Sequence, residues 1–328
     1  MQTAGVTDKY KIAPEKNDVE KPSKIKKPVS AMRVLFIIAF TIVPTIHFIF
    51  FYVVVNFNSF IMAFQRIINY EKVWSLANFE WFFSELSKPS SEITLAFVNT
   101  FKTFGINIIM YFVSFFVSYF LYKQVPGHTF YRICFFLPSV LAATVTSSFF
   151  MKLVSVKGPV APLLQQMLDL PRIPDIFASD RFANTAVFVN LIWLSFPSNM
   201  ILLGGAFSRI PTSVIESAQL DGISWVREAV SIIIPLVWPT FGLLLMLSII
   251  SIFGVTGNVF LFTKGARGTI TLNVWMYLRV YENVSSADFE NNIYNQMSAL
   301  GMMITAVSLV LSVVIRKINS KIFADVSY

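Results

Sequence analysis

The chain has 328 residues, is 55% hydrophobic and only 13% charged, and carries a formal net charge of +8. A charged fraction about half the soluble average and a mean hydropathy of +0.65 exclude an ordinary soluble domain and place it among polytopic membrane proteins. The single cysteine, Cys134, excludes an internal disulfide.

Residues 1–33 are polar. They hold Lys9, Lys11, Lys16, Lys21, Lys24, Lys26, Lys27 and Arg33 among Pro14, Pro22 and Pro28, the composition of a disordered basic tail. They do not read as a signal peptide, because the apolar run that follows is too long and lacks a small-residue cleavage site. Charge-free runs then mark six expected membrane helices at 34–65, 103–122, 133–151, 182–208, 229–263 and 291–315. Each is near the roughly 20 residues needed to cross a bilayer. The expected fold is therefore an all-α membrane protein, with a six-helix domain over 34–318 and a short tail over 319–328. Pro44 is expected to kink the first helix, and Gly254 with Gly257 to end the fifth early.

The connections follow the same order. Residues 57–92 read as an outer loop in which Asn78–Phe83 forms a short helix. Gly158-Pro159 and an amphipathic Pro162–Leu168 lie in a second outer segment, 153–181. The N-terminal tail, 123–132, 209–228 and the C-terminal tail together hold 15 of the 26 basic residues but only 8 of the 18 acidic ones. Basic residues are retained on the cytoplasmic side, so both termini and the 209–229 loop are expected there, in a multi-pass protein of the cell membrane. That bias also accounts for the basic charge without nucleic acid.

The 209–229 loop carries the densest local signal. Pro211 suits a first helical turn, and Ser213 and Glu216 have capping-box spacing. Ser217 and Ala218 are small. Gly222 interrupts the helix, and Ser224 can cap a second one that passes Arg227 and Glu228 into an apolar run. Glu216-Ser217-Ala218, Gly222, Ile232 and Ile234-Pro235 match in spacing the EAA loop of ABC-importer permeases, with Ser at the second position and Ile for Leu. Phe97-Val98-Asn99-Thr100 resembles that family's F-x-N-T. Arg132 with Leu137-Pro138, and Ser298-Ala299-Leu300-Gly301, are similar to two further motifs. The Thr263–Thr269 loop departs from the family's T-x-G-G-P. Over about residues 34–322 the chain resembles the maltose-transporter, carbohydrate-importing type of permease.

The resemblance implies a type I ABC importer permease that is not itself an enzyme. It implies a second homologous permease as partner in a heterodimer, two ATPase subunits, an extracellular solute-binding protein and an oligosaccharide substrate. No cofactor is expected in this chain, with ATP and Mg on the ATPases. Glu216, Ser217, Ala218, Asp221 and Gly222 would couple to the ATPase. Two stretches of polar and aromatic residues would line the sugar path: Trp193, Ser195, Ser198 and Asn199 with Asn190, and Phe253 and Asn258 with Thr256. Aromatic faces and hydrogen-bonding side chains suit sugar rings, although interhelical polar contacts use the same residue types. Pro197 is expected to break or kink the fourth helix at that site.

No P-loop, H-E-x-x-H or Cys/His cluster is present, so neither a nucleotide nor a metal site is expected. His47 reads as structural and His128 as solvated. No Asp or Glu lies in the six runs, which disfavours a proton-coupled carrier. A sodium-coupled secondary transporter, or a permease for a non-sugar solute, remains the alternative. The topology makes a direct prediction. In a Cys134→Ser background, a cysteine at Ser213 should resist impermeant thiol reagents in whole cells and react after permeabilisation.

Overall fold

The computed structural model describes residues 31–167, 169, 171–172, 174–254, 258–281 and 292–322. The expected tail over 1–30, Thr256, Gly257 and residues 323–328 lie outside them. The described chain is helical apart from one β-hairpin and short connections, as lipid requires, since a helix satisfies its own backbone. Among the described residues, five helices are long and apolar enough to cross a membrane, and a bent pair would make a sixth if it forms one span.

The chain divides into two units, residues 1–56 and 57–328. The first holds helix α1 (Ala31–Phe48) and a π-helical stretch, Ile49–Val54. Pro44 sits inside α1 without ending it. His47 stacks on Phe51 of the following turn at 4.7 Å.

The second unit begins along α2 (Val55–Ala63) and the hairpin β1 (Gln65–Ile68) and β2 (Glu71–Trp74), whose register pairs Gln65 with Trp74. Helix α3 (Ala77–Leu86) then covers the expected Asn78–Phe83 helix. Buried Asn78 donates to Ala63 O (3.0 Å) and Gln65 O (2.8 Å), closing the corner between α2 and β1. Helix α4 (Glu92–Tyr122) is the longest.

The third expected span differs from the sequence reading. It is two helices, α5 (His128–Val140) and α6 (Ala143–Val154), bent by 108°. Pro138 in the last turn of α5 offers no N–H to the carbonyl four residues back. Leu141 and Ala142 then turn extended, with ψ of 150° and 140°.

Short α7 (Ala161–Met167) precedes α8 (Ala183–Phe207), which packs extensively along α4. Of the break or kink expected at Pro197, the break does not occur, since α8 is helical throughout. Helix α9 (Thr212–Leu220) leads to α10 (Trp225–Glu228), a π-helical turn Ala229–Ile233, and α11 (Ile234–Ile250). Pro235 lacks the N–H that the Ser231 carbonyl would accept. In the turn before it, the Ile234 N–H bonds to Ala229 O, five residues back. The fifth helix ends at Ile250, and Gly254 falls in a 3₁₀ turn beyond it. Helices α12 (Val259–Thr263), α13 (Leu272–Tyr281) and α14 (Ile293–Ile322) complete the unit. Helix α14 continues past 318. Gly242 lets α11 approach it closely, since a Cβ there would collide with the Asn319 side chain.

The F-x-N-T stretch has a structural task. Asn99, 1% exposed on α4, donates to Gly268 O (2.7 Å) and Ile270 O (2.9 Å). Thr100 Oγ1 accepts the Leu272 N–H at 3.0 Å. Asn184 on α8 donates to Asn99 Oδ1 (3.3 Å). Together these bonds hold the connection between α12 and α13. Asn99→Ala should therefore cost about 1–2 kcal/mol, read as a thermal midpoint a few degrees lower for the purified full chain. Ile109→Leu on exposed surface of the same helix should leave the midpoint nearly unchanged.

Candidate functional site

The 209–229 loop is built at the C-terminal ends of α4 and α8. Tyr122 Oη donates to Ile210 O at 3.2 Å, and the Tyr122 ring stacks on Phe207 at 5.8 Å. Tyr119 Oη reaches Trp225 O at 3.4 Å. Lys123, one residue beyond α4, pairs with Glu228 at 2.7 Å and lies 5.4 Å from the Tyr119 ring centre. Glu228 is 1% exposed and its Oε1 has no hydrogen-bond partner, so Lys123 is the cation that offsets its burial. Desolvation pulls the Lys123 pKa down, but the bonds to Glu228 and Tyr119 outweigh it and hold the ammonium above its ordinary value. Lys123 is therefore charged at any physiological pH.

The loop itself is a helix, a glycine bend and a helix, as expected. Gly222 has φ +66°. Its N–H bonds to Gln219 O (3.1 Å), and the Ile223 N–H bonds to Ala218 O (3.2 Å). This pair of bonds is the Schellman ending of α9, which needs a left-handed residue where glycine stands. The N-terminal expectation changes in detail. Pro211 is the N-cap residue rather than the first helical one, no side chain caps α9, and the Ser213 carbonyl accepts the Ser217 hydroxyl at 2.8 Å. Proline has no side-chain acceptor, so the start of α9 is set by Pro211's extended ψ of 134°. Ser224 likewise has N-cap backbone geometry without a side-chain bond.

Of the five coupling candidates, Ala218 is buried and Glu216, Ser217, Asp221 and Gly222 are exposed. Leu220 is 89% and Trp225 51% exposed, so the loop presents apolar surface around the bend. Glu216 and Gln219 line a cleft of about 300 Å³ with Tyr122, Gln124 and Thr212.

The substrate-path candidates occupy several surroundings. Trp193 is half-buried against Phe150 at 6.1 Å and Phe149 at 6.5 Å, beside Val187, Val259 and Phe262. Phe253 sits in a different apolar cluster, edge-on to Phe97 (6.3 Å) and Phe101 (6.1 Å). The Ser195 hydroxyl donates to Ile192 O of its own helix at 3.3 Å. Ser198 is exposed and Asn199 is 8% exposed. Asn258 and Asn190 do meet: Asn258 Nδ2 donates to Asn190 Oδ1, while the fully buried Asn190 keeps an Nδ2 without a partner. Among the described residues, no group of His, Cys, Asp and Glu could hold a metal ion.

The sequence reading did not pair Lys123 with Glu228. The signal was their position, since Lys123 ends one charge-free run and Glu228 precedes another, so both sit where a charge must find a partner or water.

No family model matches the sequence. The chain is 32% identical over 137 residues to the sulfoquinovosyl glycerol transport system permease SmoG of Agrobacterium fabrum, covering 40% of this chain and 44% of SmoG. It is 25% identical over 150 residues to the maltose/maltodextrin permease MalF of Vibrio vulnificus, covering 45% of this chain and 28% of MalF. The matched stretches thus span less than half of either relative. In structure it is similar to a bacterial ABC transporter that imports the acidic polysaccharide alginate, with a TM-score of 0.71, 17% identity, and coverage of 89% of this chain and 97% of that one. That transporter is also known in complex with an alginate pentasaccharide-bound periplasmic protein. The chain is related in sequence to sugar-importing ABC permeases and has the fold of an ABC importer permease.

Removing the Lys123 ammonium should leave Glu228 buried and unpaired. Lys123→Ala should cost about 3 kcal/mol, at the lower end for a buried pair because Lys123 is partly solvated. Lys123→Ala with Glu228→Gln should recover much of that loss in a double-mutant cycle on thermal stability.

Proposed function

We propose that this chain is a membrane-spanning subunit of an ABC importer for an oligosaccharide or related solute, and that its 209–229 loop transmits the work of a separate ATPase. One observation carries the reading. A helix bent at Gly222 projects exposed Glu216, Asp221 and Leu220 from one end of the bundle. Its base is fixed to the end of α4 by Tyr119, Tyr122 and the Lys123–Glu228 pair, which hold Ile210 on one side of α9 and α10 on the other. A rigidly anchored protrusion moves the helices that hold it when a partner moves it.

In this reading ATP and Mg belong to two partner ATPases, and this chain holds no cofactor. A second, homologous permease completes the pathway, and an extracellular solute-binding protein delivers the sugar. The termini and the loop face the cytoplasm. ATP binding draws the loops of the two permeases together and stabilises the outward-open arrangement, and hydrolysis releases it, so transport is a shift between two states. Closed helical surface would part between α8 and the α11–α12 connection. There the unpartnered Asn190 Nδ2 beside Asn258 offers a donor to a sugar hydroxyl, with Trp193 one turn further along α8.

The test separates coupling from path in the assembled importer. Gly222→Leu forces a side chain into a left-handed backbone, although a Cβ there meets nothing within the chain. It should abolish solute-stimulated ATP hydrolysis and ATPase copurification with the bundle still folded. Asn258→Ala should keep ATPase binding and lower uptake. Normal hydrolysis and copurification in Gly222→Leu would remove the loop's role.

A further inference from the structure

A cleft of about 650 Å³ opens at the N-terminal end of α8, between the end of α6, the 175–178 segment and the α12–α13 connection. Helix α8 has 25 residues, so at 1.5 Å per residue this cleft lies roughly 35 Å from the 209–229 loop, on the other face of the bundle. Its floor includes Phe177 and Phe262, whose rings meet at 4.7 Å, tilted by 38°. Its wall carries Lys152, Lys264 and Arg267 against one carboxylate, Asp175. Asp175 already accepts the Phe177 N–H at 3.2 Å, and Arg267 reaches Asp180 outside the lining at 3.3 Å. The cations outnumber the acids even with Asp180 counted.

The backbone of this wall is unusual. Lys264 has φ +51° and Arg267 φ +59°, in the left-handed region that non-glycine residues seldom occupy. Gly265 and Gly268 beside them are at +82° and +71°. Such backbone is strained for a residue with a Cβ and persists where its surroundings enforce it. Here the Asn99, Asn184 and Thr100 bonds, with the Thr263–Thr269 hydroxyl pair, do the enforcing. This is also the stretch that departs from the T-x-G-G-P of the resembled family. A buried polar clamp thus braces the backbone that presents the exposed Lys264 and Arg267 side chains beside two aromatic rings.

We infer that this cleft receives an acidic sugar, the cations taking its carboxylate or other anionic group and the Phe177–Phe262 floor its ring. The volume lies within the roughly 300–1,000 Å³ of small-molecule sites, and few polar groups over apolar walls is their usual design. The inference rests on the sugar-permease reading and narrows its substrate class.

The test uses the assembled importer in nanodiscs with trigalacturonate and maltotriose as probes. The wild type should bind trigalacturonate at least tenfold more tightly than maltotriose, with the difference shrinking as salt rises. Lys264→Gln with Arg267→Gln should bring the two close to parity. Lys152→Gln, on a regular helix where loop strain is not at issue, should reduce the preference severalfold. Equal binding of both sugars by the wild type overturns the acidic specificity and leaves the sugar permease standing, whereas binding of neither overturns both. An unchanged preference in the variants also overturns the inference. So does loss of binding-protein-stimulated ATP hydrolysis with either sugar alike, which would make the cleft a docking surface for the binding protein.

Discussion

The constraint on which this structure depends is that every backbone polar group at membrane depth needs a partner, and water is not there to supply it. Helices meet the demand internally. In the packed connections between helices, which also exclude water, buried asparagines do the same work. Asn99 holds the α12–α13 connection. Asn78 holds the corner into the hairpin, and Asn292 and Asn295 bond Ile67, Met62 and Gln65 from the start of α14. A side-chain amide suits this task because it offers two N–H donors and a carbonyl in one compact group. The Asn99 bonds also brace the connection in which the backbone of Lys264 and Arg267 is left-handed.

The same low dielectric shapes the other end of the bundle. A carboxylate as buried as Glu228 is stable only beside a cation, and Lys123 is delivered by the end of α4. The pair joins α4 to α10, and the tyrosines at 119 and 122 add bonds to the backbone on either side of α9. The bent helix between them is free of such ties at its tip, where Leu220 and Asp221 are exposed. Stiff attachment and an open tip are the properties a force-bearing contact needs. They arise here from one ion pair, two hydroxyls and one glycine.

The pathway candidates show how one residue type can serve two ends. Trp193 and Phe253 carry rings that suit a sugar face, yet each packs against phenylalanines in its own apolar cluster, because an aromatic side chain gains most where it is most enclosed. Asn190 and Asn258 differ. They satisfy each other only in part, and the leftover Asn190 donor is a buried polar group that a substrate hydroxyl would relieve.

By itself the sequence determined roughly where the long apolar helices lie, because charge-free runs of bilayer length have few other stable places. It also determined the bend at Gly222, since left-handed backbone there favours the residue without a Cβ, and the short helix at Asn78–Phe83. It did not determine the 108° break after Pro138 or the continuity of α8 through Pro197. Proline only removes one bond, and the neighbouring packing decides whether the helix yields. Nor did it pair Lys123 with Glu228, 105 residues apart, or Asn99 with Ile270, 171 residues apart. Those contacts depend on which helices lie side by side. Hydrophobic runs of equal length are interchangeable until packing orders them, so only the tertiary structure decided which buried polar group met which.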